Sequence, residues 1–255
     1  MRKLILGVFI LVFGVATAHA DPLTATFNLN SAGSGANLAG VYTSPYTGTI
    51  NGGPTIAVIC DDFADESYVP ENWTAYVTPL SSLTSGSPDT YLKWLNTSGS
   101  SLTVGSYTLN QAAAYTVAAV LAVDILHSPT GSPAQEDYSY ALWELFDYSD
   151  ASSQLLAHGD TIDAKNAFAD LTGAVTYVET SSLGPGNYSN VTIYSYDPGA
   201  TCVGATCPTT APQEFITVST PEPSSLVLLA LGLLSLVGLA LTRRRLVGSV
   251  NLTQA

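Results

Sequence analysis

An uncharged, leucine-rich run from Ser225 to Thr242, preceded by Pro221-Glu222-Pro223-Ser224 and stopped by Arg243, Arg244 and Arg245, sets the strongest limit on how this chain folds. Its length is close to the ~20 apolar residues that a hydrocarbon core requires. No water is present there to satisfy backbone groups, so one transmembrane helix is predicted over 225–242. The arginine triplet predicts the orientation: it stays cytoplasmic, and what precedes the helix lies on the far side. Residues 246–255 then read as a cytoplasmic tail. The other end opens with Arg2-Lys3, an apolar run from Leu4 to Val15, and Ala18-His19-Ala20 before Asp21. A basic start, a short apolar run and a small-x-small site predict a secretory signal peptide over 1–20, cleaved by signal peptidase. Between the two ends, residues 21–218 are left as one exported domain, large enough for its own core.

Charge supports this division. Of the seven basic residues, only Lys93 and Lys165 lie between Asp21 and Glu222, a stretch that holds all 20 acidic residues and so carries a formal −18. Such a field repels phosphate backbones and excludes nucleic acid as a partner.

The order Thr220-Pro221-Glu222-Pro223-Ser224, apolar helix, arginine cluster resembles the PEP-CTERM sorting domain, over Thr220 to Arg245. The resemblance implies recognition by an exosortase, a membrane protease-transpeptidase that cuts near Pro221, Glu222 and Pro223. It implies inner-membrane anchoring through the last helix, then delivery to the cell surface or the extracellular matrix. It also implies association with exopolysaccharide and biofilm.

Within the exported part, two-residue alternation predicts strands at 24–30, 42–50, 55–60, 74–80, 191–196 and 214–218. Asn51-Gly52-Gly53-Pro54 predicts a reversal between the second and third of these. The middle reads as helical: a short piece over 89–95, a nearly all-apolar helix over 110–126 capped by Asn110, a helix from Ser132-Pro133 to Phe146, and another over 163–178. Strands, then helices, then strands predict an α+β domain.

Candidate sites are few. Cys202 and Cys207 are close enough in sequence to pair as a disulfide in an oxidising compartment. Cys60, at the end of Val58-Ile59-Cys60, together with Ala141-Leu142-Trp143, is similar to bacterial surface thioester domains. In those domains a Gln-x-Ala-Ile-Trp helix supplies the acyl group. Here Ser139 stands at the Gln position, and Gln135, one helical turn earlier, is the substitute. The alternative reading is a buried, inert Cys60. Asp61, Asp62, Asp65 and Glu66 are hard oxygen donors within six positions, a candidate calcium site without the EF-hand spacing; no other cofactor is expected. The tyrosines, 14 in all, are candidates for stacking on sugars. No G-x-S-x-G, H-E-x-x-H or P-loop is present, and His127 and His158 read as a helix-terminal cation and a surface turn. The expectation is a non-catalytic exported surface or matrix protein; the alternatives are a thioester adhesin using Cys60 and a secreted hydrolase.

Overall fold

The computed structural model describes residues 22–33, 36–202 and 206–219. The predicted signal peptide, the predicted transmembrane helix, Pro221, Glu222, Pro223, Arg243, Arg244, Arg245 and the tail 246–255 lie outside the described residues. Among the described residues, no helix is long and apolar enough to cross a membrane.

Eight strands come before the helices, the first six being β1 (Thr24–Ser31), β2 (Asn37–Leu38), β3 (Val41–Tyr42), β4 (Tyr46–Ile50), β5 (Ile56–Cys60) and β6 (Glu71–Pro79). A hairpin of β7 (Leu102–Val104) and β8 (Tyr107–Leu109) leads into α1 (Gln111–His127), α2 (Pro133–Ala157) and α3 (Thr161–Thr180). The chain returns through β9 (Val191–Tyr196) and β10 (Phe215–Val218). The class is mixed α and β, as the strand–helix–strand order predicts.

Closure of the sheet could not be read from that order. Six strands form a barrel in the sequence β1-β4-β5-β10-β9-β6, with every neighbouring pair antiparallel. β1 alternates as a half-buried strand should, with Ala25, Phe27 and Leu29 inward. The barrel interior is filled with rings: Phe27 stacks on Trp73 at 4.7 Å and on Phe215 at 5.2 Å, and Tyr46 meets Phe215 edge-on at 5.9 Å. Such pairs add about 0.5–1.5 kcal/mol each beyond the area they bury. Gly48 is required where β4 crosses β1, because a Cβ there would sit 2.7 Å from the carbonyl oxygen of Asn28. The predicted reversal holds: Asn51 and Gly52 both have positive φ, and Asn51 bonds back to both backbone groups of Thr26.

α1 packs against β10 of the barrel, α2 reaches β5 through Trp143, and α3 packs on α1 and α2. α1 is buried nearly all round, as its apolar sequence predicts, and Asn110 caps it by accepting from the Ala113 N–H at 3.0 Å. α2 starts with a Ser132 cap and Pro133, as predicted, but continues past Phe146 to Ala157 through a kink at Asp147 (φ −137°, ψ 65°). The helix predicted over 89–95 does not form. The Gln111 side chain takes the Asp89 N–H and donates to the carbonyls of Asp89 and Trp94, so these backbone groups have partners without a helical ladder. The strand predicted over 42–50 starts only at Tyr46; before it, Val41–Tyr42 pairs with β2.

Candidate functional site: a buried acid network beneath a tyrosine cleft

Register places the acidic residues. β10 pairs with the end of β5, with Phe215 opposite Cys60, so Glu214 lands beside Asp61 and Asp62 although about 150 residues separate them. The Glu214 N–H donates to Asp62 Oδ2 at 3.3 Å, and the Asp61 N–H to the Glu214 carbonyl at 3.4 Å. The Glu214 carboxylate accepts from the hydroxyls of Tyr115 on α1 and Ser195 on β9, and from the Lys93 backbone N–H at 3.0 Å. The loop after β6 turns Lys93 inward. Its ammonium pairs with Asp62, and with Asp65 at 2.7 Å, while resting 4.8 Å from the Trp94 ring centroid.

The electrostatics divide the acids by role. Asp61 is fully buried, and neither of its oxygens finds a donor. Burial, then the charges of Glu214 and Asp62, push its pKa well above the carboxylate range. Protonation of Asp61 removes the unmatched buried charge beside Glu214. Burial also raises Glu214, while the bonds from Ser195, Tyr115 and Lys93 pull it back. Asp62 is raised by burial and pulled back by Lys93. It accepts from Ala64 N–H (3.0 Å), Asp65 N–H (3.3 Å), Glu214 N–H (3.3 Å) and the Lys93 ammonium, a donor set suited to the ionised form. Burial pulls the Lys93 pKa down, but the two aspartates outweigh it and the net shift is upward, so Lys93 stays charged.

This geometry corrects the calcium reading. Asp62 and Asp65 hold the Lys93 ammonium where a cation would sit, Glu66 accepts the Tyr68 hydroxyl at 2.8 Å, and Asp61 faces Glu214. Among the described residues, no group of three or more His, Cys, Asp or Glu side chains is placed to hold a metal ion.

The thioester pair is also not assembled. Gln135 donates to the Ile125 carbonyl and accepts from the Gly131 N–H, both at 2.8 Å, at the α1–α2 junction. It lies about 12 Å along the helix axis from Trp143, whose indole marks the level of Cys60. Ser139 returns its hydroxyl to the Gln135 carbonyl at 2.9 Å. Cys60 is a free, fully buried thiol facing the Asp62 carbonyl at 3.1 Å, and burial raises its pKa well above normal. That makes it a poor nucleophile. The Ala141-Leu142-Trp143 segment serves packing: Trp143 lies 5.1 Å from Phe63 and 4.9 Å from Tyr140. Cys202 and Cys207 are joined as a disulfide, with Cα atoms 5.8 Å apart.

Above the acid network lies a cleft of about 530 Å³. Tyr76 and Tyr91 form one wall with ring centroids 4.6 Å apart, and Asp65, Lys93, Asn96 and Tyr196 supply polar edges. Tyr91 is 42% exposed, so its face is available to a ligand. Glu214, Ser195, Tyr115 and Lys93 were missed as site residues in the sequence. Strand pairing brings in Ser195 and Glu214, and packing of α1 and of the loop after β6 brings in Tyr115 and Lys93; no local motif records either.

Comparison with known families bears on the chain's other end. Residues 219–245 match the PEP-CTERM protein-sorting motif. The PEP-CTERM motif implies export, a membrane-anchored sorting signal and processing by an exosortase, as the order of the Pro-Glu-Pro segment, apolar run and arginines predicts. It covers the delivery signal and leaves the barrel and helices without an assigned activity. No curated protein and no solved structure matches the chain.

Proposed function

We propose that this exosortase substrate is a non-catalytic surface or matrix protein that associates with exopolysaccharide through the cleft above Lys93. The observation that carries this reading is the Tyr76–Tyr91 pair at 4.6 Å, flanked by Asp65, Lys93 and Asn96 along one cleft. Sugar rings present apolar C–H faces and equatorial hydroxyls, which suit tyrosine faces bordered by charged and amide groups. The lack of catalysis rests on the placement of the acids. Asp61 is 0% exposed, and Glu214, which lines the cleft but is only 1% exposed, has its carboxylate taken up by the Tyr115 and Ser195 hydroxyls and the Lys93 N–H. Asp65 is held by Lys93. The net negative charge of the domain favours neutral or cationic polysaccharides over polyanionic ones.

The test is co-sedimentation of the full-length chain with exopolysaccharide purified from the source cells, comparing wild type with Tyr91→Ala. Binding that weakens several-fold in the variant, without release of reducing ends, supports the proposal. Equal binding by both proteins places association elsewhere, and sugar release by the wild type makes it a hydrolase.

A further inference from the structure

Far less is explained by the acid network about a different group, the carboxyl of Glu144 on α2. Glu144 is 1% exposed, and neither of its oxygens has a hydrogen-bond partner. An ionised carboxylate left without donors costs several kcal/mol, and a neutral one still leaves its O–H unpaired. Burial alone lifts its pKa to about 7, with no neighbouring charge contributing.

Glu144 is one of the residues that line a cavity of about 400 Å³ between the β7–β8 hairpin, α2 and α3. The apolar part of the walls is built from Leu102, Val104, Leu145, Phe146 and Leu171, and Thr103, Gly105 and Tyr148 also line it. Two rings that are substantially exposed, Tyr148 (52%) and Phe168 (40%), stand at the rim in an edge-to-face pair, with centroids 5.7 Å apart. The lining contains no lysine, arginine or histidine. These features select among ligands. An anion meets an unscreened acid, and a purely apolar molecule leaves the acid without a partner. A cation with an apolar body both satisfies Glu144 and gains ring faces at the rim. The volume lies at the lower end of the range for small-molecule sites.

We propose that this cavity is a binding site for a small organic cation: a protonated primary amine whose ammonium pairs with Glu144 and whose apolar body lies against Phe146, Leu171 and the Tyr148–Phe168 rings. The site shares no lining residue with the tyrosine cleft, so it stands or falls independently of polysaccharide association.

The probe is benzylamine, titrated calorimetrically into the purified full-length chain, with benzyl alcohol and benzoate as neutral and anionic isosteres. Expected is saturable benzylamine binding at least about tenfold tighter than benzyl alcohol, the size of one charge-assisted hydrogen bond, with no binding of benzoate. Glu144→Gln, nearly isosteric, is expected to remove the preference for the amine while benzyl alcohol binding persists. Phe168→Ala alters the rim and leaves Glu144 in place; it is expected to weaken benzylamine several-fold even if the Gln variant misfolds. Equal affinity for amine and alcohol, unchanged benzylamine binding in either folded variant, or no saturable benzylamine binding at all overturns the proposal.

Discussion

The indole N–H of Trp143 donates to the carbonyl of Cys60 at 3.0 Å, tying helix α2 to the last residue of strand β5 within a fully buried environment. Trp143→Phe leaves that carbonyl without its donor and opens a small void. The expected loss is about 2–3 kcal/mol in urea unfolding. Barrel strands far from the contact unfold in the same transition.

Lys93 compensates a buried charge. Lys93→Met leaves Asp62, 0% exposed, as an ionised group without a cation. A destabilisation of about 3 kcal/mol is expected. Adding Asp62→Asn to Lys93→Met recovers part of this, because the uncompensated charge is gone. A double variant as unstable as the single one means that the loss comes from packing of the lysine stem.

Stability depends on pH through acids that hold their protons in the folded state. Burial, the first cause in each case, raises Asp137 to about 6 and Glu144 to about 7, above the unfolded carboxylate values. Between about pH 4 and pH 7 the folded chain therefore binds more protons than the unfolded chain, and stability declines as pH rises through that window. The melting temperature is expected to be higher at pH 5 than at pH 8. Glu144→Gln flattens the dependence, gaining about 2 kcal/mol at pH 8 and little at pH 5.

The cysteines differ in chemical state. Without reductant, denatured protein is expected to take up one alkyl group, at Cys60, and with reductant three, by intact mass. Native protein takes up none, because Cys60 is buried. Removing the short loop closure with Cys202→Ser and Cys207→Ser costs about 2 kcal/mol in the chain-entropy account.

Sorting is tested at the motif itself. Replacing Pro221-Glu222-Pro223 with alanines is expected to leave export intact and to stop exosortase processing, so that the full-length form accumulates in the membrane fraction on immunoblots. An unchanged ratio of processed to unprocessed chain excludes these residues as the recognition element.

Much of the fold was legible because the signals were local. The alternation of Thr24 to Asn30, the positive-φ pair Asn51-Gly52, the Asn110 cap and the uniformly apolar α1 each state a local preference that tertiary packing kept. Phe146 was the predicted end of α2, and the helix kinks at the next residue, so the sequence signal marked a real discontinuity without showing that the helix resumes. The short β7–β8 hairpin and the missing helix over 89–95 were not legible. The first has strands of three residues, and the second is decided by the side chain of Gln111, more than a dozen positions away. The acid network depends most on long-range register. Asp61 and Asp62 were visible as a cluster and were read as metal ligands, because neither Lys93 nor Glu214 could be placed beside them before β10 was paired with β5.

Circular closure of the six-stranded sheet has a consequence at the crowded cell exterior. Each barrel strand already has a neighbour on both sides, so no main-chain edge is left to recruit a second molecule by strand addition. Among the described residues, the remaining hairpins, with strands of two and three residues, are too short to template one. Copies packed side by side therefore resist fibrous stacking, and any network they join is built through side-chain surfaces or through the chemistry of their sorted terminus.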